Sequence, residues 1–243
     1  MKKTIIALLA LGGVAAAADT SVLEEAYIGF TDFSSGKAAL GTMKDSITLS
    51  TEGNITTLSG VTFDTAQIAD STRDCFSITL VLDAAKIGSV REFTSLAAGY
   101  YSEAGAVGIG VNADRKLQGQ WGTDGYSPDG SAYTTEALPT KGTITLTFVT
   151  GLIAEEKQGS RIYVNASTTF WSSDGLRTGD NNYNTIKFNN LNDAIMQAYV
   201  HNYSLSQTQV GTLMGEIASI PEPTTATLSL LALAGLAARR RRK

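Results

Sequence analysis

Alternation of apolar and polar residues runs through the middle of the chain and predicts a series of short β-strands. In 76–82 the even positions are apolar, and Ser77 and Thr79 stand between them. In 143–149 isoleucine, leucine and phenylalanine alternate with threonine. A period of two residues with β-branched side chains is the signature of a half-buried strand. The pattern predicts strands at 26–31, 46–49, 60–63, 75–82, 93–98, 106–111, 116–121, 143–149, 161–164, 185–188 and 194–203.

A single short helix is predicted after the last of these strands. Ser206 and Gln209 have the spacing of a capping box, and Leu205 and Val210 occupy the two positions of a hydrophobic staple. One apolar face follows at helical spacing and consists of Val210, Leu213, Met214 and Ile217. Many antiparallel strands with turns between them and one short C-terminal helix favour an all-β, two-sheet jelly-roll sandwich.

The first 18 residues are organised as a secretory signal peptide. Lys2 and Lys3 precede an apolar run over 5–14, and four alanines at 15–18 end the segment. The run is shorter than the roughly 20 apolar residues that a bilayer-spanning helix needs. We therefore expect export of the chain and cleavage after Ala18 by signal peptidase.

The last residues form three successive parts: Pro221, Glu222 and Pro223, an apolar run over 224–238, and five basic residues over 239–243. The prolines end any preceding helix. As a helix the run would measure about 22 Å against a hydrocarbon core of about 30 Å, so it suits transient membrane insertion better than permanent anchoring. The basic cluster holds the terminus on the cytoplasmic side.

This arrangement over 220–243 resembles the PEP-CTERM sorting signal of Gram-negative bacteria. The resemblance implies recognition by an exosortase, which cuts near Pro221, Glu222 and Pro223, and delivery to the envelope surface or an extracellular matrix. An ordinary C-terminal anchor is the alternative. We expect three regions: a signal peptide at 1–18, the sandwich at 19–219, and the sorting signal with its hydrophobic helix at 220–243.

The sandwich itself resembles the laminin-G-like, concanavalin A-like family over about 26–216. The segments that carry the resemblance are 60–64, 75–82, 108–121, 161–165 and 199–206. The chain departs from the family pattern at Ala166, where the family has glycine, and it lacks the family's Trp-His pair in 141–147. The resemblance therefore implies the fold, and no ligand site is carried over with it.

Charge and cysteine usage limit the range of partners. The two end segments hold seven of the 19 Lys and Arg residues and none of the 23 Asp and Glu residues, which leaves 19–223 with a net charge of −11. An acidic surface disfavours nucleic acid as a partner. The chain has a single cysteine, Cys75, so it forms no disulfide within itself. We expect Cys75 to be a buried thiol in an apolar strand.

No catalytic arrangement is predicted. Glu155 and Glu156 are adjacent and would point to opposite faces of a strand, and their polar surroundings at 154–159 indicate a solvated loop. His201, the single histidine, lies in a predicted strand, and no nucleophile-elbow motif accompanies any serine. The glycines of 108–113 fit a loose dinucleotide-binding pattern, but a turn and a strand follow them where that mechanism needs a helix.

Two segments between strands combine aromatic, carboxylate and amide side chains. The first contains Trp121, Asp124, Tyr126 and Asp129, and the second contains Trp171, Asp174, Asp180, Asn181, Asn182 and Tyr183. Such side chains suit sugar rings, and oxygen-rich loops suit calcium, although neither segment has the spacing of a defined calcium loop. The tryptophans would equally serve as core residues at strand ends.

Three functions are compatible with these features. The sequence favours a non-enzymatic surface or matrix protein whose sandwich binds a glycan or another protein, with no cofactor other than calcium. A glycan-cleaving enzyme with an atypical site and a purely structural matrix component are the alternatives.

Overall fold

The computed structural model describes residues 21–32, 39–43, 47–68, 71–87, 94–100, 107–111, 113–121, 132–154, 157–165, 167–169 and 185–220. This part of the chain forms fifteen strands, a 3-10 turn at Leu191–Asp193 and one α-helix. The strands and the helix are β1 Ile28–Asp32, β2 Ala39–Met43, β3 Thr48–Glu52, β4 Ile55–Ser59, β5 Asp64–Ile68, β6 Ser71–Asp83, β7 Thr94–Tyr100, β8 Val107–Val111, β9 Lys116–Trp121, β10 Ala132–Ala137, β11 Thr143–Ala154, β12 Lys157–Val164, β13 Ser167–Thr169, β14 Thr185–Asn189, β15 Ile195–His201 and α1 Gln207–Ser219.

The described strands form two antiparallel sheets. The first has the order β13-β12-β11-β6-β15-β1-β2, with β5 paired to the beginning of β6, and we call it the eight-stranded sheet. The second has the order β10-β9-β8-β7-β14-β4-β3, and we call it the seven-stranded sheet. Each sheet also pairs strands that are far apart in sequence, as in β6 beside β15 and β7 beside β14, which is typical of a jelly roll. The predicted all-β sandwich with one short C-terminal helix is confirmed.

The core lies between the two sheets and follows the alternation seen in the sequence. Phe76, Ile78, Leu80 and Leu82 of β6 point into it and are at most 2% exposed. Phe30 of β1 meets Phe188 of the opposite sheet edge to face, with ring centroids 5.9 Å apart. The intervening positions of β6 face the other way, so the first sheet has a second, outer face.

Helix α1 covers this outer face together with residues 21–27, which we call the N-terminal segment. Val210, Leu213 and Ile217 of α1 are buried against the sheet side chains Val81, Val149, Tyr163 and Tyr199. Val22 and Ala26 of the N-terminal segment belong to the same apolar cluster. The described fold therefore has a second core outside the sandwich. This core contains side chains from the N-terminal segment and from α1.

The beginning of α1 agrees with the sequence prediction. The Ser206 hydroxyl accepts a hydrogen bond from the Gln209 amide, and the Gln209 side chain accepts one from the Ser206 amide. The two bonds satisfy backbone donors that a helix leaves unpaired at its first turn. Leu205 and Val210 are both buried, as expected of a hydrophobic staple.

Two predictions about the strands are wrong. Residues 60–63 form no strand: Val61 and Phe63 are buried and Thr62 is exposed, but the segment connects β4 to β5 without a ladder partner. Phe63 instead stacks on Phe76, with ring centroids 4.7 Å apart. The apolar and polar residues alternate here because Val61 and Phe63 are buried and Thr62 is exposed, and not because the segment is paired in a sheet.

The second error concerns 154–159, which was expected to be a solvated loop. Strand β12 already begins at Lys157, because the hairpin of β11 and β12 stays paired where Gly151 faces Gly159 and Leu152 faces Gln158. Backbone hydrogen bonds between β11 and β12 keep this polar end of the hairpin in the strand conformation. Glu155 and Glu156 lie outside the described residues.

Candidate functional site

The end of β9 and the beginning of β14 lie at the same end of the seven-stranded sheet. The register places Trp121 of β9 opposite Val107 of β8, and Val107 opposite Gly99 of β7. Gly99 in turn lies opposite Ile186, the second residue of β14. With a spacing of about 4.8 Å between strands, β9 and β14 are about 14 Å apart in this row. We call this end of the sheet the Trp121 end.

The two segments predicted to bind a ligand join the sheet at this end. The first begins at Trp121, and the second finishes immediately before Thr185. Their remaining predicted residues lie outside the described residues, namely Asp124, Tyr126, Asp129, Trp171, Asp174, Asp180, Asn181, Asn182 and Tyr183. The sheet thus brings together the two attachment points, although the segments are about 50 residues apart in the sequence.

At the opposite end of the sandwich, the side chain of Arg115 binds the carbonyl oxygens of two loops. Arg115, in the turn between β8 and β9, has a positive φ of 60°. Its guanidinium donates hydrogen bonds to the carbonyl oxygens of Ala84 at 3.1 Å, Pro139 at 2.5 Å, Leu138 at 3.4 Å and Ile87. Five donors on a rigid plane allow arginine to bridge several carbonyls at once. Arg115 therefore fastens two loops of the domain, a role that the sequence did not reveal.

His201 lies on the outer face of the eight-stranded sheet and is fully buried. Its Nε2 is 2.9 Å from the carbonyl oxygen of Val22. A carbonyl only accepts, so Nε2 carries the proton and Nδ1 is the bare nitrogen of the neutral ring. Nδ1 has no hydrogen-bond partner among the described residues. Burial lowers the pKa of His201, and the Val22 bond, Glu25 and Glu216 partly oppose that shift.

Ser77 lies opposite His201 on the neighbouring strand β6, and both are fully buried. This pair is not arranged for nucleophilic catalysis. The Ser77 hydroxyl donates to the carbonyl of Tyr203 at 3.0 Å and accepts from the amide of Leu205 at 2.9 Å. His201 Nε2 is directed to Val22. A serine nucleophile needs a base that takes its hydroxyl proton, and here the Ser77 hydroxyl donates to the carbonyl oxygen of Tyr203, which is not a base.

Two tyrosines and two carboxylates complete the surroundings of His201. The Tyr203 hydroxyl donates to Glu25 Oε2 at 2.6 Å, and its ring lies edge-on to His201 with centroids 5.6 Å apart. Burial and the contact with Glu25 raise the pKa of Tyr203. Burial raises the pKa of Tyr199 to about 12. The carboxylate of Glu216 in α1 accepts a hydrogen bond from the backbone amide of Leu23 at 2.7 Å.

Cys75 is buried, with 8% exposure, as the sequence predicted for this thiol. It packs against Gly151 of β11, which has a φ of +120°. A Cβ at Gly151 would lie 2.7 Å from the Cys75 sulfur and 2.4 Å from the Ser204 hydroxyl oxygen. Only glycine fits at this point, where β11 continues beside β6 and comes close to Cys75.

The described residues contain no group of three or more His, Cys, Asp or Glu side chains placed to hold a metal ion. Within the same residues, no helix has both the length and the apolar character needed to cross a membrane. The predicted signal peptide with Ala18, the residues Pro221, Glu222 and Pro223, and the apolar run 224–238 lie outside them. The strand-turn-strand arrangement of β8 and β9 agrees with the rejection of a dinucleotide site at 108–113.

The domain is similar in structure to several solved binding domains. One is a receptor-binding domain (14% identity, TM-score 0.54). Two others are the binding domain of botulinum neurotoxin DC in complex with SialylT (13%, 0.51) and with rat synaptotagmin II (14%, 0.52). Each alignment covers 81% of this chain and 52% of the other, so the chain spans about half the length of these solved chains. At such identities the likeness shows the fold alone.

Sequence comparison identifies the C-terminal segment. No curated protein matches the chain. The family model of the PEP-CTERM protein-sorting motif matches residues 219–243, so it begins at the last residue of α1. The predicted resemblance at this end of the chain is thereby confirmed. The chain carries a PEP-CTERM sorting motif directly after its β-sandwich, which marks an exported, cell-surface-associated protein that is processed by an exosortase.

Proposed function

We propose that the sandwich is a non-catalytic binding domain that recognises a glycan or another protein at the Trp121 end of the seven-stranded sheet. The observation that carries this proposal is the register from Trp121 through Val107 and Gly99 to Ile186. It gathers at one sheet end the attachment points of both segments rich in aromatic and polar residues. A row of about 14 Å has the length of an extended peptide of about four residues.

The chemistry of the two segments supports a sugar or peptide ligand. Aromatic rings offer faces for stacking, and carboxylates and amides offer hydrogen bonds to hydroxyls or backbone groups. Fold likeness to binding domains that were solved with SialylT and with rat synaptotagmin II is consistent with either class. Likeness of fold does not by itself assign a function, so the proposal depends on the site.

We further propose that the protein is delivered to the envelope surface or matrix of a Gram-negative bacterium after cleavage by signal peptidase behind Ala18. The apolar run over 224–238 would hold the chain transiently in the inner membrane. Calcium is the cation that the oxygen-rich segments would hold. Nucleic acid is disfavoured as a partner because the exported part has a net charge of −11.

A glycan array with the exported protein, in calcium and in chelator, tests the binding proposal. Trp121→Ala should weaken binding at least about ten-fold, a change of about 1.4 kcal/mol. Ile55→Ala is the matched control, because Ile55 is 42% exposed and lies at the opposite end of the same sheet. Equal ligand affinity of the two variants would show that the binding site does not lie at the Trp121 end.

The same protein distinguishes the alternatives. Release of reducing ends from mixed polysaccharides would establish the glycan-cleaving enzyme and overturn the non-catalytic proposal. Silence on the array and in pull-downs from cell-surface extracts, combined with self-assembly at low salt that Trp121→Ala leaves unchanged, would establish a purely structural component.

A further inference from the structure

The outer face of the eight-stranded sheet is closed by two pieces that depend on each other. The N-terminal segment is bound to β15 by the hydrogen bond from the Tyr27 amide to the Val200 carbonyl at 2.7 Å. It is bound to α1 by the Leu23 amide on Glu216. Next to the Leu23 contact, the Val22 carbonyl accepts a hydrogen bond from His201 Nε2. Residues 21–27 form no strand, whereas the central strands are held by continuous ladders.

His201 is the one group at this junction that changes charge near neutral pH. A second proton would have to enter at Nδ1, which is buried and has no acceptor among the described residues. Burying an uncompensated charge is unfavourable, so the closed state holds the neutral ring. In the open state, water would reach the ring, and the proton would be accepted at the ordinary pKa of about 6.5.

The surrounding charges act in the opposite direction but do not remove this effect. Glu25 of the N-terminal segment and Glu216 of α1 attract a positive charge on His201. Each already accepts a hydrogen bond, from Tyr203 and from Leu23 respectively. On the same outer face, β15 adds Tyr199, and β6 adds Ser77 opposite His201 and Cys75 two residues before Ser77.

Among the described residues of this row, β12 contributes a cation. Arg161 is paired through Val149 and Ser77 to His201, three strands away, or about 14 Å. Any repulsion of a charged His201 ring by Arg161 would add to the preference of the closed state for the neutral ring.

We propose that the N-terminal segment and α1 form an acid-sensitive latch over the outer face of the eight-stranded sheet, which opens in acid because a His201 ring protonated at Nδ1 is favoured only where water reaches it. The sandwich between the two sheets stays folded, because its core does not include the histidine. Opening would expose the apolar side chains Val81, Val149 and Tyr163 and would free the helix that directly precedes the sorting motif.

Hydrogen exchange on the full exported protein tests the latch. Corrected for intrinsic exchange, the opening constant of the Leu23 and Tyr27 amides should rise by up to about thirty-fold between pH 7.5 and pH 5. That limit applies to a histidine that accepts its proton only in the open state with a pKa of about 6.5. Amides in the ladder between β6 and β11 serve as the internal reference and should keep their protection.

The variant His201→Gln sharpens the test, because a glutamine amide can donate to Val22 and does not titrate. Its latch should show the same protection at both pH values. An equal acid-induced loss of protection in the variant would overturn the proposal. Should this variant fail to fold, the NMR titration of the wild-type protein decides, since its single histidine gives one unambiguous signal. A ring that titrates near pH 6.5 while Leu23 and Tyr27 stay protected would equally overturn it.

Discussion

The backbone amide of Leu23 donates a hydrogen bond to Glu216 Oε2 at 2.7 Å, although the two residues are 193 positions apart. This contact joins the first turn of the described chain to the last helix before the sorting motif. The described ends, Ser21 and Ile220, therefore leave the domain within a few residues of one contact. The sorting motif and the proposed signal peptide would therefore be attached to neighbouring parts of one surface.

Loss of the Glu216 carboxylate should loosen this joint. We expect Glu216→Ala to lower the free energy of unfolding by about 1–3 kcal/mol, because a partly buried backbone donor loses a charged acceptor. Glu216→Gln keeps an acceptor of the same shape and should retain most of the stability. Urea titration of the exported protein measures the difference, with Thr212→Ala on the exposed face of α1 as a control that should stay within about 0.5 kcal/mol. An equal effect of Glu216→Ala and Thr212→Ala would exclude the joint.

Gly151 should not tolerate a side chain. Gly151→Ala places a methyl group against Cys75 and Ser204 at a positive φ, and we expect a loss of about 2–4 kcal/mol. Gly142 is the matched control: its φ is +89°, but a Cβ there would have no neighbour within 4 Å. Gly142→Ala should therefore cost only the backbone strain of about 1–2 kcal/mol. Thermal unfolding of the two variants separates packing from strain, and equal losses would contradict the close approach of Cys75.

Arg115 should stabilise the end of the sandwich opposite Trp121. Arg115→Ala leaves four carbonyl oxygens without their donor, and we expect a loss of about 2–3 kcal/mol. Arg115→Gly loses the same contacts but relieves the positive φ, so it should be about 1 kcal/mol more stable than Arg115→Ala. Chemical denaturation orders the three proteins. An alanine variant as stable as the wild type would show that the guanidinium contacts contribute nothing.

We expect the folded protein to lose stability at alkaline pH because of Tyr199. Its phenol has a folded pKa of about 12 against 10 in the unfolded chain. The neutral phenol is fully favourable below pH 10, and its contribution is lost as the pH rises towards 12. At pH 11 the loss should be roughly 1 kcal/mol. Urea midpoints at pH 9 and pH 11 measure it, and Tyr199→Phe should show a smaller drop. An identical drop in that variant would assign the sensitivity elsewhere, first to Tyr203, whose pKa is raised by burial.

Local sequence patterns predicted much of the fold because local chemistry determines those parts. The capping box at Ser206 and the alternation in β6 and β11 each depend on residues close together in the chain. The pairing of β6 with β15 and the Leu23–Glu216 contact depend on separations above 100 residues, and no short-range pattern records them. Segment 60–63 alternates because one side is buried, and burial alone does not make a ladder.

The candidate site was predictable in part for the same reason. Composition identified the segments that begin at Trp121 and finish before Thr185 as ligand candidates. Only the strand order places their attachment points at one end of one sheet. Arg115 was missed because an arginine that binds carbonyls leaves no acidic partner to find in the sequence. His201 was correctly predicted to be a strand residue, but its partner Val22 contributes a backbone oxygen, which every residue has.

Mass spectrometry of the intact protein recovered from the cell surface tests the central claim most directly. An exported and exosortase-processed chain should begin at Asp19 and end close to Pro223, without the apolar run 224–238 and the five basic residues after it. The measured mass should fit those ends, with any added group attached at the new C-terminus. A surface-located chain that still ends at Lys243 would contradict processing at the sorting motif.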